Sequence, residues 1–203
     1  MRSVQTQAVA ETTVSRSRFL AFVAPVRTSA EAASFLARVK SEHPDATHHS
    51  HAWVLGPDGS VHRSSDDGEP GGTAGTPMLE VLRKAGFTNV VAVVVRWFGG
   101  VKLGAGGLAR AYAGAVRAAL AVAVPAFPVV REDYEVTFPA SVAGATLHAL
   151  RETADVQSES YGDDVIVRCR VRADGAAAMS ERIARSSSGS AVAVLVASTV
   201  TFE

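Results

Sequence analysis

Two stretches of the 203-residue chain combine glycine and charge at a density that invites chemistry. One is Arg63-Ser-Ser-Asp-Asp-Gly-Glu-Pro-Gly-Gly-Thr-Ala-Gly-Thr-Pro77; the other is Arg96-Trp-Phe-Gly-Gly-Val-Lys-Leu-Gly-Ala-Gly-Gly-Leu-Ala-Arg-Ala-Tyr112. With so little side chain, a backbone can approach a ligand or another chain closely with its N–H groups exposed. Each stretch runs into an expected helix, whose first turn gathers unpaired N–H donors and positive dipole and so suits an anion. The charge is segregated as well. No Asp or Glu lies between Glu80 and Glu132, whereas Arg83, Lys84, Arg96, Lys102, Arg110, Arg117 and Arg131 do. Arg110 and Arg117 stand seven apart, on one helical face. A basic face on a chain of zero formal net charge is what contact with a phosphate backbone needs. Arg63, Arg96, Lys102, Arg110 and Arg117 are therefore expected to meet an anion. Gly104 and Gly106 would lend backbone donors, and the Trp97 ring could stack on a base. The competing reading is an internal scaffold, in which these cations pair with Asp66, Asp67 and Glu69 and Trp97 plugs the edge of a core.

A second chemistry is conceivable nearby. His48, His49, His51 and His62 precede Asp66, Asp67 and Glu69. A cluster of His48, His51, Asp66, Asp67 and Glu69 could hold a divalent metal or supply a general acid and base, which makes a small hydrolase the enzymatic alternative. The spacing matches no established metal motif, and neither a metal nor another cofactor is expected. On a strand, His49 and His51 share one face and His48 takes the other. Asp66 and Asp67 could equally accept backbone N–H bonds within a turn. Familiar motifs fail here. Gly104-Ala-Gly-Gly-Leu-Ala109 fits the loose dinucleotide pattern, but it lies eight residues past the strand ending at Val95 and has no acid about twenty residues on. Lys102 is not followed by Ser or Thr, and no G-x-S-x-G occurs.

The ordered set Asp66-Asp-Gly-Glu-Pro70, Gly72-Thr-Ala-Gly75, Arg96-x-Phe-Gly-Gly-x-Lys-Leu-Gly104 and Gly106-Gly-Leu-x-Arg-Ala-Tyr112 strongly resembles the signature of the IMPACT family. Its bacterial members are the YigZ-type proteins. The resemblance extends upstream to Ser17-Arg-Phe19 and Pro44-Asp-Ala-Thr-His48, and covers about residues 15 to 124. It implies a first domain similar to the α/β fold of a small-subunit ribosomal protein and of the fourth domain of elongation factor G. A ferredoxin-like domain would follow, as it does in that factor. Eukaryotic relatives regulate translation under amino-acid starvation through protein contacts. The family often has cysteine where Ser50 stands and an aromatic where His51 stands, so thiol chemistry at the former position is unavailable here.

Elements able to position these residues can be read from periodicity. Strands are expected at 4–9, 17–26, 52–55, 60–63 and 90–95, with Gly56-Pro57-Asp58-Gly59 as a turn. Helices are expected at 29–41, capped by Ser29, at 77–85 ended by Gly86, and at 106–124. Pro125-Ala-Phe-Pro128 reads as a boundary between an amino-terminal domain, 1–126, and a carboxy-terminal one, 129–203. The second half reads strand 131–138, helix 141–153, strand 154–160, strand 164–172, helix 173–185, strand 190–201. That βαββαβ order is the ferredoxin-like pattern, so the fold class is α+β in two domains. Arg168, Arg170 and Arg172 alternate outward on one strand as an open basic row, and Cys169, between them, faces the core as inert packing.

Bulk properties bound the rest. The chain is 47% hydrophobic and 20% charged, with one cysteine, so no internal disulfide can form. The amino terminus lacks the apolar run of a signal peptide, and 118–130, broken by Pro125 and Pro128, is too short to span a bilayer. A cytoplasmic protein without membrane contact is expected. RNA or the ribosome is the expected partner and a protein the alternative, while the oligomeric state is not set by the residues. The expected function is a non-catalytic, translation-associated regulatory protein.

Overall fold

The computed structural model describes all 203 residues, which divide into two compact units: Met1–Pro128 with Phe202–Glu203, and Val129–Thr201. The first unit contains β1 (Ser3–Val4), β2 (Ala8–Val14), β3 (Ser17–Pro25), α1 (Ser29–Glu42), β4 (His48–Leu55), β5 (Val61–Ser65), α2 (Gly75–Lys84), β6 (Val90–Trp97), α3 (Gly104–Val122) and β7 (Pro125–Ala126). Five strands form an antiparallel sheet in the order β2-β3-β6-β4-β5, and β1 pairs with β7.

Helices cover both faces of the five-stranded sheet, which explains why β6 is an unbroken apolar run. Val90, Ala92 and Val94 pack with α2 and α3, and Val91, Val93 and Val95 pack with α1. Because side chains alternate along a strand, Arg96 continues the α2/α3 face. On β4, Ala52 and Val54 face α2 and α3 while Trp53 and Leu55 face α1. His48 and Ser50 accordingly share the face of Arg96, and His49 and His51 lie on the other.

Helix starts differ from expectation in ways that matter for the site. α1 is capped by Thr28, not Ser29; the Thr28 hydroxyl accepts from the Glu31 N–H at 3.1 Å, and the Glu31 carboxylate accepts from the Arg27 N–H at 2.7 Å. Glu31 lies three residues after Thr28, the spacing of a capping box, and that selects the earlier hydroxyl. α2 begins at Gly75 and α3 at Gly104, each two residues before the expected start; neither has a side-chain cap of its own. Pro77 fits inside the first turn of α2, where a missing N–H costs no helical bond.

The second unit contains all but the first residue of β8 (Pro128–Pro139), α4 (Ala143–Thr153), β9 (Asp155–Tyr161), β10 (Asp164–Arg172), α5 (Ala176–Ser186) and all but the last residue of β11 (Val192–Phe202), with a short 3-10 turn before each helix. The sheet order is β11-β8-β10-β9. Val165, Val167, Cys169 and Val171 join the core with Leu147, Leu150, Met179 and Ile183 of the helices. Burial raises the Cys169 thiol pKa to about 11. The outward arginines do not form an open basic row. Arg168 pairs with Glu135 at 3.1 Å, Arg170 holds Asp133 bidentately at 2.6 and 3.0 Å, and Arg172 pairs with Asp174 at 3.3 Å. The cross-strand register supplies the correction, because Glu135 and Asp133 of β8 stand opposite Arg168 and Arg170. No helix is long and apolar enough to cross a membrane.

Candidate functional site

The β5–α2 loop is built around its own carboxylates. Asp66 Oδ1 accepts from the N–H groups of Ala74 and Gly75 at 2.9 and 2.8 Å, and Oδ2 from Gly72 at 2.8 Å. It thus caps α2 from across the loop, in place of an adjacent capping residue. Burial pushes the Asp66 carboxyl up, but the three N–H bonds outweigh it and hold it below its ordinary range. A Cβ on Gly75 would come within 2.6–2.8 Å of the Ser65 backbone, so only glycine permits this closure. Asp67, at a left-handed φ of +46°, accepts from Lys40 Nζ at 2.7 Å and from the His49 N–H at 2.8 Å. His48 Nδ1 donates to the Asp67 carbonyl and Ser50 Oγ to the Asp66 carbonyl, both at 2.8 Å.

Glu69 is the deepest member. Its Oε1 accepts from Arg96 Nη1 and from the Tyr112 hydroxyl, each at 2.6 Å, and His48 Nε2 lies 3.8 Å away. The Glu69 and Arg96 side chains are only 3% and 5% exposed. Arg96 Nη2 also donates to Ser17 Oγ at 3.2 Å, while Nε has no partner. Phe19 and Phe98 flank the guanidinium at 5.4 and 5.5 Å, and Phe19 meets Tyr112 edge-on at 5.2 Å. Burial, followed by the Glu69 bond, pushes the Tyr112 hydroxyl far above its usual range, so the phenol stays protonated and donates. One buried knot therefore ties β3, β6, the β5–α2 loop and α3 together. Removing one partner of such a pair leaves the other charge uncompensated in a poor solvent for it.

The β6–α3 loop behaves differently. Gly99 lies against the Arg16 backbone so closely that a Cβ would come within 2.1 Å of it, and its N–H donates to Ser17 Oγ at 3.2 Å. Beyond that anchor, Phe98, Gly100, Val101, Lys102, Gly104, Ala105, Gly106 and Arg110 are exposed. The first turn of α3 has no acidic residue and no side-chain cap. Neither Lys102 nor Arg110 forms an ion pair. Uncapped donors, positive dipole and two free cations thus stand at one helix end.

The residues expected at an anion site therefore part company. Arg96 is corrected from an open contact to a buried counter-ion of Glu69. Trp97 is corrected too: its indole N–H donates to Asp45 at 2.8 Å, the Arg18 guanidinium covers its ring at 3.7 Å, and His43 meets it edge-on. That indole bond, ahead of other causes, holds the Asp45 carboxyl below its ordinary range. Arg63 stands opposite Trp53 on the α1 face, with its guanidinium 5.8 Å from that ring, away from the α3 face. Lys102, Gly104, Gly106 and Arg110 stay together. Arg117 is exposed further along α3, near Arg2 and Phe87.

The five-residue acid and histidine cluster does not assemble as a unit. His51 stacks on Trp53 at 5.4 Å on the opposite sheet face from His48, and burial, ahead of its other surroundings, lowers its pKa. No group of three His, Cys, Asp or Glu is arranged to hold a metal ion. Sequence reasoning gave no site role to Ser17, Lys40, Ser50 or Tyr112. Ser17 and Tyr112 both sit inside the quoted motif, and that was the available signal for them.

Residues 15–120 match the model of the Impact N-terminal domain family. The chain is 49% identical over 102 residues to the IMPACT family member YvyE of Bacillus subtilis, covering 50% of this chain and 47% of that one. It is 50% identical over 109 residues to the IMPACT family member YigZ of Escherichia coli, covering 53% of each. The match thus spans about half the length of these curated relatives. A crystal structure described only as that of a hypothetical protein superposes with a TM-score of 0.73 at 33% identity, covering 97% of both chains.

Proposed function

The chain belongs to the IMPACT family, and from that premise we propose that it is a cytoplasmic, translation-associated regulatory protein that contacts RNA or the ribosome through the amino-terminal end of α3. The observation carrying this reading is the pairing of Lys102 and Arg110, exposed and without counter-ions, with an uncapped glycine-rich helix start. Phosphate is the chemistry such an end accepts, because N–H donors, helix dipole and cations act together without a competing carboxylate. Translation as the setting is what family membership implies. The same reading includes the finer kinship of the two units, to domain four of elongation factor G and to ferredoxin-like domains. The βαββαβ order and the 4-1-3-2 strand arrangement of the second unit support the latter.

Co-sedimentation with ribosomes across a salt series tests the proposal. Association at low salt that falls steeply as salt rises is expected, since counterion release drives phosphate contacts. Absence of association with ribosomes, ribosomal RNA and tRNA at low salt would refute it. A second reading has its own observation: Phe98 and Val101 are exposed in the same loop, a surface suited to a protein partner. Binding that survives nuclease treatment would favour it.

A further inference from the structure

The five-stranded and four-stranded sheets present four edge strands, and three are blunted by charge. β2 carries Glu11, β5 carries Arg63, and β9 carries Asp155 and Glu159. β11 does not. Its sequence, Val-Ala-Val-Leu-Val-Ala-Ser-Thr-Val-Thr-Phe, holds no charged residue, glycine or proline over 11 residues, and no other edge strand is as long. Val192, Val194, Leu195, Val196 and Val200 are 47–60% exposed. Ala193 packs on the core of the unit, and the Thr199 and Thr201 hydroxyls reach the Arg131 and Val129 carbonyls of β8 at 3.5 and 3.4 Å. Only β8 neighbours β11, which leaves a row of N–H and C=O groups along its outer side without a strand partner.

We propose that β11 is a self-association edge, at which a second copy of this chain pairs antiparallel about a two-fold axis and joins two four-stranded sheets into one. The occupant follows from charge. A foreign strand would need to be matched to this edge, whereas an uncharged strand meets its own copy without repulsion. An axis at Ala197 sets Val194 against Val200, Val196 against Ser198 and Val192 against Phe202, apolar or small at every position. It also sets Glu203 against Ala191, so the Glu203 side chain does not face its own copy. Isologous pairing occupies the edge completely and closes at the dimer. The proposal is independent of the α3 site, which lies in the other unit.

Sedimentation velocity of the full chain over a concentration series reads this directly. A reversible dimer at twice the 21.1 kDa chain mass is expected. Val196→Lys, at an exposed position, should keep the circular dichroism spectrum and weaken dimerisation at least about tenfold, while Val196→Thr should leave it nearly unchanged. Hydrogen exchange on the wild type gives a second readout, with β11 amides protected at high concentration and released on dilution. A wild-type chain that stays monomeric at high concentration, a dimer indifferent to Val196→Lys, open-ended assemblies, or β11 exchange independent of concentration would each overturn the proposal.

Discussion

The two glycine-rich loops of the first unit look alike in composition and behave oppositely. In the β5–α2 loop every carboxylate has partners within the unit: Asp66 on three backbone N–H groups, Asp67 on Lys40 and a strand amide, Glu69 on Arg96 and Tyr112. In the β6–α3 loop, backbone contacts at Gly99 fix one end and the cations remain unanswered. Glycine enrichment therefore carries two meanings. In the first loop it lets the backbone close on its own acids; in the second it leaves donors facing outward. A charged glycine-rich loop is a binding candidate only when its charges are not already balanced inside the fold.

The largest test of that contrast is Glu69→Ala. It should cost about 3–5 kcal/mol, because Arg96 would be left buried and uncompensated. A denaturant midpoint close to wild type would erase the difference between the loops. Asp66→Ala comes next: the Ala74 and Gly75 N–H groups at the start of α2 and the Gly72 N–H in the loop before it lose their acceptor, for an expected loss of about 1–3 kcal/mol. The cap's contribution should be complete above about pH 4 and disappear as pH falls through the depressed Asp66 value, so the variant should lose less stability on acidification than the wild type does.

A smaller effect belongs to His51. Its folded pKa is lowered by burial, so its neutral form contributes stability that is complete above about pH 6.5 and is lost as pH drops towards the lowered value. His51→Phe should flatten the decline of melting temperature on that acidic side, and an unchanged slope would show that His51 accepts protons freely in the fold. The smallest stability change is expected from Lys102→Ala/Arg110→Ala, within about 0.5 kcal/mol. Yet the pair should lower the salt slope of RNA binding by about 2. A variant that unfolds would place these cations inside the scaffold with Arg96.

Much of the architecture was legible beforehand. The valine-rich run of β6 marked a strand, and the period-two placement of Cys169 among valines assigned it to the core. Thr28 was missed in favour of Ser29, because adjacent hydroxyls look equivalent until the position of Glu31 is weighed. The basic row of β10 was misread for another reason: alternation shows which way Arg168 and Arg170 point, but only strand register shows that Glu135 and Asp133 stand opposite. The start of α2 could not be found from a neighbouring cap, because its cap lies eight residues upstream of Ala74 in the loop itself.

Residue order alone indicated most of the helices and strands, the family and the concentration of charge in two loops, since each follows from local periodicity or from a contiguous motif; it merged β1 and β2 into one strand and gave no strand at β7. Which charges remain available was settled only in three dimensions. Glu69 and Arg96 are 27 residues apart, and Tyr112 is 43 from Glu69. Pairing over such distances depends on how β6, α3 and the β5–α2 loop pack, and no local pattern encodes it. Long-range packing buried Arg96, engaged the half-buried Trp97 with Asp45 and Arg18, and left Lys102 and Arg110 exposed.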